Sequence, residues 1–255
     1  MREIKRRTPP PPSPQNPEPP AASAAADGSP QETLDLGEPE ALPTTMELPA
    51  DQTPDPIEQA ADLAARGELS AATTTLRSLV TREPANGKAR MALASMLERR
   101  GDMEGALGEL GRALDTAPDD VAILCARAAL LALRGRYDQA EEDLRRAARV
   151  NDRSADVQIQ LGMLFSKRAR WREAIEPLLA AVAIDATRAD AHYHLGEAYN
   201  HIDDLPAALR SYEAASNMQP TNMRALKGIG IVLDRLGRPA EAAAAYRRAR
   251  DAQRR

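Results

Sequence analysis

The stretch Gly101–Asp120, GDMEGALGELGRALDTAPDD, contains four residues whose types recur at a fixed distance along the chain. The same four types stand 34 positions earlier, at Gly67, Ala72, Leu76 and Pro84, where the quoted stretch has Gly101, Ala106, Leu110 and Pro118. Self-similarity at a period of this size is typical of a repeat architecture, in which one small structural unit is stacked many times. The period is therefore the property from which the fold follows.

Six consecutive units fit this period without an insertion, and we number positions within them from 1 to 34. The units are residues 53–86, 87–120, 121–154, 155–188, 189–222 and 223–255. Position 20 is alanine every time: Ala72, Ala106, Ala140, Ala174, Ala208 and Ala242. Position 8 is always small: Ala60, Ala94, Ala128, Gly162, Gly196 and Gly230. Position 24 is always large: Leu76, Leu110, Leu144, Leu178, Tyr212 and Tyr246.

Each unit is predicted to form two helices. Apolar residues at positions 4, 7, 8 and 11, and again at 20, 24 and 27, keep the spacing of one helix face. Glycine at position 15 in four units suits the left-handed backbone of a tight helix end. A pair of short helices cannot bury enough surface alone, so neighbouring units must stack. With one Phe and one Trp in 255 residues, the core has to consist mainly of Ala and Leu, which favours an all-α fold.

These residues resemble the tetratricopeptide repeat family, which has the same period and the same alternation of small and large positions. The resemblance covers about 200 of 255 residues and implies a right-handed superhelical solenoid with a concave groove. The sequence departs from the family pattern at several places. Position 7 is polar in two units, as Gln59 and Arg127, and the proline near position 32 is replaced by Asp152 and Ala186.

The resemblance also implies that positions 2, 5, 9, 12 and 13 of each first helix face the groove. We therefore predict a non-catalytic scaffold that binds an apolar peptide or amphipathic helix of a partner protein in this groove. The predicted groove residues are Met91, Ser95, Cys125, Ala129, Ile159, Met163, Tyr193, Glu197, Asn200, His201, Lys227 and Ile231. Around them, Lys167, Arg224 and Arg235 are expected to attract carboxylates of the partner. The family's carboxylate clamp for chaperone tails is absent, because Lys227 is followed by Ile231 where that clamp has asparagine.

No motif in the sequence predicts catalysis, a cofactor or a metal. All three histidines lie in the first helix of unit 5, but His192 and His194 are two residues apart and point in different directions on a helix. A zinc site needs three or four converging ligands, so we expect packing and groove roles instead. Cys125 has no histidine nearby in the repeat lattice, and the chain contains no phosphate loop, GxSxG or HExxH.

Residues 1–56 differ from the rest of the chain. They hold 14 of the 20 prolines and carry ten acidic against four basic residues, without apolar periodicity. We predict a disordered tail, with Pro9 to Pro12 locally extended as polyproline II. It is either a spacer or, through its loose PxxP spacing, a ligand for an aromatic groove.

The remaining residues have a nearly balanced charge, 30 basic against 28 acidic, which argues against binding to nucleic acid. No stretch of about 18 apolar residues is present, so we expect no membrane span. A single cysteine and the lack of an apolar leader favour the cytoplasm.

Two other functions remain open at the level of sequence. The groove or the last unit could form a homo-oligomer, or the chain could be a regulatory subunit of a separate enzyme. The last helix ends in arginines that are either solvated or contact an acidic partner: Arg247, Arg248, Arg250, Arg254 and Arg255.

Overall fold

The computed structural model describes residues 55–254, which form twelve α-helices and no strand. The predicted disordered tail and its polyproline segment therefore lie outside the described residues, apart from Asp55 and Pro56. The first helices of the six units are α1 (Pro56–Ala65), α3 (Gly87–Arg99), α5 (Val121–Leu133), α7 (Ala155–Lys167), α9 (Ala189–His201) and α11 (Met223–Arg235). The second helices are α2 (Leu69–Arg82), α4 (Met103–Thr116), α6 (Tyr137–Val150), α8 (Trp171–Ile184), α10 (Leu205–Met218) and α12 (Pro239–Gln253).

Short polar side chains cap the N-termini of many of the helices. Asn86, Asp120 and Asn222 each accept a hydrogen bond from a backbone N–H in the first turn of α3, α5 and α11. Such caps satisfy donors that have no partner inside the helix. The sequence thus places helix starts at the first position of the unit.

The turn inside each unit has a left-handed residue at position 15. Four of these residues are glycine, with φ between +73° and +83°. Units 4 and 5 have Ala169 and Asp203 there instead, at φ values of 55° and 72°. Left-handed backbone is less favourable for residues with a Cβ, so the turn geometry is retained in these two units against the local preference.

The alternation of small and large residues forms the core. All six alanines at position 20 are fully buried. At position 8, a Cβ added to Gly196 would lie 2.6 Å from Cδ1 of Tyr212, the residue at position 24 of the same unit. The paired helices therefore approach closely at the small residues, and the large side chains occupy the space opposite them.

Two of the polar residues on the apolar face are held by ion pairs. Arg127, at position 7 of unit 3, donates to both carboxylate oxygens of Asp143 across the helix pair, at 2.8 and 2.6 Å. Arg90, at position 4 of unit 2, donates to Glu109 at 2.7 Å, and both residues are buried. Arg127, a departure from the family pattern, is thus compensated within its own unit, and so is Arg90, because a buried charge needs a hydrogen-bonded partner.

Neighbouring units stack because each second helix packs on the first helix of the following unit. The result is a right-handed α-α superhelical solenoid of six helix pairs. In the described part of the chain, none of the helices has the length and apolar character needed to cross a bilayer.

Candidate functional site

The predicted groove residues occupy the first helices of the units, on what we call the groove face, and their accessibility differs widely. Ser95, Ala129, His201, Lys227 and Ile231 are exposed. Met91, Cys125, Met163, Tyr193, Glu197 and Asn200 are half-buried. A ligand on this face would therefore meet side chains from α3 to α11.

Ile159 is the exception, and its assignment to the groove is wrong. Only 3% of it is exposed, because it packs with Ala181 of its own unit and Ala191 of the next. The equivalent position 5 is more open in the other units, where it carries Met91, Cys125, Tyr193 and Lys227. Ile159 is thus part of the contact between units 4 and 5 and offers no surface to a partner.

An apolar cleft lies between α5 and α7 on the groove face. It encloses about 200 Å³ and includes Ala129 and Met163 from the predicted set. Leu133, which the set did not contain, also lines it and has 58% of its surface exposed. Lys167 stands at the same cleft and contributes a positive charge. Leu133, Ala129 and Met163 line the same cleft, and a contiguous apolar surface of this kind is a feature expected of a binding site.

A second cleft of about 260 Å³ lies between α7 and α9 and shares Met163 and Lys167 with the first. Its other lining residues are Ser166, Trp171, His194 and Glu197. Trp171 and His194 were not predicted, because neither occupies a position that the family resemblance assigns to the groove. The two clefts adjoin through Met163, whose flexible and polarizable side chain adapts to different apolar ligands.

A short hydrogen-bond network forms the wall of the second cleft. The Tyr193 hydroxyl donates to Oε1 of Glu197 at 2.6 Å, and His194 Nδ1 lies 2.9 Å from Oε2. Burial opposes the charge on Glu197, but the hydrogen bonds from His194 and Tyr193 outweigh it and hold the pKa of this carboxyl below its ordinary value. Glu197 therefore remains ionised at neutral pH, with both oxygens engaged.

The histidines serve structural roles. The ring of His201 stacks on Trp171 with centroids 3.7 Å apart and planes inclined by 4°. His192 Nε2 lies 3.2 Å from the carbonyl oxygen of Ala186. Across residues 55–254, no group of three or more His, Cys, Asp or Glu side chains is arranged to hold a metal ion. The stack connects the start of α8 to the end of α9 and fixes the second cleft at that side.

Arg235 is already engaged, contrary to its predicted role towards a partner's carboxylates. It donates to the backbone oxygen of Asn200 at 2.9 Å and also contacts the side chains of Asn200 and Asp203. Lys167 and Arg224 have no carboxylate within ion-pair distance among the described residues. Of the predicted cationic residues, these two are available for a ligand.

Cys125 is half-buried on α5. Burial, together with the nearby carboxylates of Asp156 and Asp143, raises the pKa of its thiol to about 11. The thiol is therefore protonated at neutral pH, and the thiolate that nucleophilic chemistry needs is scarce.

Comparison with known proteins agrees with this geometry. The family model of the tetratricopeptide repeat matches residues 57–121 and 202–254. The segments that match are tetratricopeptide repeats. Tetratricopeptide repeat proteins are generally non-catalytic modules, and their fold is that of a protein–protein interaction scaffold. No curated protein matches the chain.

Solved structures with the same repeat architecture resemble this chain along most of their length. A crystal structure of MamA is 25% identical, with 64% of this chain and 95% of that chain aligned at a TM-score of 0.59. PilF of Pseudomonas aeruginosa is 18% identical, with 74% of this chain and 86% of PilF aligned at a TM-score of 0.66. YrrB, described as having an unusual peptide-binding site, is 18% identical. The alignment covers 70% of this chain and 92% of YrrB at a TM-score of 0.56. At such low identity, PilF and YrrB support the fold alone.

Proposed function

We propose that this protein is a non-catalytic scaffold that binds an apolar segment of a partner protein along its groove face. The observation that supports this most directly is the pair of adjoining clefts that share Met163 and Lys167. Apolar segments bind in concave, mostly apolar sites with a few polar groups that set orientation. Met163 and Leu133 supply the apolar contact, and Lys167 supplies a charge at the point where the clefts meet.

The arrangement of charge on this face favours a ligand whose apolar residues are flanked by carboxylates. Lys167 and Arg224 are exposed, and neither is paired with a carboxylate within residues 55–254. The carboxylate of Glu197 does not oppose such a ligand strongly, because His194 and Tyr193 hold both of its oxygens. Opposite charges at the edge of an apolar contact mainly increase the rate and specificity of association.

The absence of a reaction is part of this proposal. The thiol of Cys125 is protonated, and Glu197 is committed to its hydrogen bonds, so neither group is prepared for nucleophilic or acid–base chemistry. We also propose a cytoplasmic location, because Cys125 is the single cysteine of the chain and forms no disulfide within it. Fractionation of cells that express the protein tests the location.

Substitution of Met163 by glutamate tests groove binding. A charge between the two clefts disfavours an apolar ligand, and we expect affinity to fall about tenfold to a hundredfold, the equivalent of one buried apolar side chain. Met218→Glu is the matched control, because Met218 lies on α10 and is 40% exposed without lining either cleft. Both variants should keep the wild-type helix content by circular dichroism.

The measurement has two stages. Proteins captured by wild type and Met218→Glu, but not by Met163→Glu, are first identified by mass spectrometry. Their binding segments are then titrated against all three proteins by calorimetry. Equal affinity for the three proteins would exclude the groove face as the binding site. Unfolding of Met163→Glu would place that residue in the core and contradict the assignment in a different way.

A further inference from the structure

The contact between units follows a rule that the buried clusters of units 4 and 5 make explicit. Positions 5 and 27 of unit 4, Ile159 and Ala181, pack with position 3 of unit 5, Ala191. Positions 21 and 28 of unit 4, Ile175 and Val182, pack with positions 7 and 10 of unit 5, which are Leu195 and Ala198. Between units 4 and 5 these contacts are apolar, whereas position 21 of unit 3 is Glu141, which forms ion pairs with Arg168 and Arg170 of unit 4.

At the first unit, the positions that would face a preceding unit are polar and exposed. Positions 3, 7 and 10 are Asp55, Gln59 and Asp62, and Glu58 stands beside them at position 6. No basic side chain in the described range lies within 4 Å of these three carboxylates. We call this surface, Asp55, Glu58, Gln59 and Asp62, the acidic end.

At the last unit, the positions that would face a following unit are basic and apolar. Positions 5, 21 and 28 are Lys227, Ala243 and Arg250, all exposed. Ile231, at position 9, is 47% exposed beside them. For residues 55–254, neither Lys227 nor Arg250 has a carboxylate at ion-pair distance. We call this surface, Lys227, Ile231, Ala243 and Arg250, the basic end.

The contact rule brings the two ends into register. If a second copy continues the solenoid, position 5 of one copy meets position 3 of the other, which sets Lys227 opposite Asp55. In the same way, positions 21 and 28 meet positions 7 and 10, which sets Ala243 and Arg250 opposite Gln59 and Asp62. Opposite charges therefore stand where the contact between units 4 and 5 has apolar residues.

We propose that copies of this protein associate head to tail, the acidic end of one copy on the basic end of the next. A polar outer face is expected of any terminal repeat, because it keeps the solenoid soluble. Solubility alone would be served by either sign of charge at each end. It does not explain why the contact positions are acidic at one end and basic at the other. A contact between unlike surfaces is heterologous, so the association adds copies in a row and forms a ring only where the rotation between copies closes.

Nearby acidic groups at the C-terminal end leave this pairing intact. Asp234 accepts a hydrogen bond from the Tyr246 hydroxyl at 2.9 Å, and Glu241 is paired with Arg238. Asp251 is exposed on α12, at position 29, which the contact rule does not place against the next unit. Because the proposed ion pairs are exposed at their edges, the association is expected to be weak and sensitive to salt.

Charge reversal in the full-length protein tests the proposal. Asp62→Arg and Arg250→Asp each place like charges at one contact, and the two changes combined in one chain restore opposite charges. Asp55 is left unchanged because its side chain caps α1. Arg172→Asp is the control, since Arg172 is exposed on α8, away from both ends. The mass of each protein is measured by sedimentation over a range of concentrations at low and high salt.

We expect the mass of the wild type and of the control to rise with concentration at about 0.01 M salt, where the Debye length is about 30 Å. At about 1 M salt, where it is about 3 Å, we expect monomers. Each single reversal should remain monomeric at both salt concentrations, and the double reversal should associate like wild type. A wild type that stays monomeric at low salt, or single reversals that associate as wild type does, would overturn the proposal. Association lost in Met163→Glu but kept in Asp62→Arg would assign self-contact to the groove face instead.

Discussion

The two halves of the solenoid form the same intra-unit contact with different residues. In units 1–3, alanine at position 8 faces leucine at position 24. In units 4–6, glycine faces a side chain that is leucine once and tyrosine twice. The pairs are Ala60 with Leu76, Ala94 with Leu110, Ala128 with Leu144, Gly162 with Leu178, Gly196 with Tyr212 and Gly230 with Tyr246. In units 4–6 the backbones of the two paired helices also lie close together over more residues than in units 1–3.

A tyrosine at position 24 occurs only opposite a glycine, in units 5 and 6, although glycine also faces a leucine in unit 4. The Tyr212 ring lies against two glycines, since a Cβ on Gly196 would be 2.6 Å and one on Gly228 2.7 Å from ring carbons. A buried aromatic ring contributes more apolar contact than leucine. Glycine within a helix costs about 1 kcal/mol relative to alanine, so the larger ring offsets a weaker helix.

The largest effect is expected when the space at a second-half glycine is filled. Gly196→Val forces side-chain atoms into the Tyr212 ring, and we expect a loss of about 3 kcal/mol in the free energy of unfolding. Gly111→Val is the control, because Gly111 also lies within a helix but a Cβ there would meet nothing within 4 Å. Urea denaturation followed by circular dichroism should show the control within about 0.5 kcal/mol of wild type. Equal losses in both variants would mean that close approach at Gly196 is unimportant.

An intermediate effect is expected when a first-half unit is given the second-half residues. Leu110→Tyr places a ring where Ala94 leaves no space, and we expect a loss of about 2 kcal/mol. Adding Ala94→Gly should recover about 1 kcal/mol of this loss, although the same change alone is destabilising. The coupling is measured by a double-mutant cycle of urea-denaturation curves. If the two changes in the free energy of unfolding simply add, positions 8 and 24 are not coupled, and the comparison of the two halves loses its basis.

The smallest effect concerns the turns, where units 4 and 5 differ from the other four units. Ala169 of unit 4 has a positive φ of 55°, where unit 2 has Gly101 at 83°. Ala169→Gly should therefore raise the free energy of unfolding by about 0.5 to 1 kcal/mol, because it relieves an unfavourable backbone conformation. Gly101→Ala should lower it by about 1 kcal/mol, since no side-chain contact opposes the added methyl and the cost is conformational. The two changes are compared by their denaturation midpoints, and shifts of the same sign would contradict this account.

The helix pair of each unit could be predicted from the sequence, because the residues that form its contacts lie within one segment of 34 residues. Ala106 and Leu110 are four residues apart, on one helix face, and recur in every unit, so their burial follows from helix geometry and stacking alone. The left-handed turn was equally predictable at Gly67 and Gly101. At Ala169 and Asp203 it was not, because the packing of the flanking helices determines their φ values rather than any local preference.

The groove face could be predicted only in outline. Ile159 and Met163 occupy groove positions of the same helix, yet Ile159 is buried against Ala191 while Met163 lines both clefts. The stack of His201 on Trp171 and the exposure of Leu133 likewise depend on how neighbouring units meet.

The sequence by itself determined the repeat, the helix pairs and the identity of the core, because these depend on contacts between residues close together in the chain. Only the tertiary structure decided which groove side chains remain accessible, which cations are already paired and which charges face outward at the two ends. Those properties depend on the distance and rotation between successive units. Many small contacts set that geometry together, and no single residue encodes it.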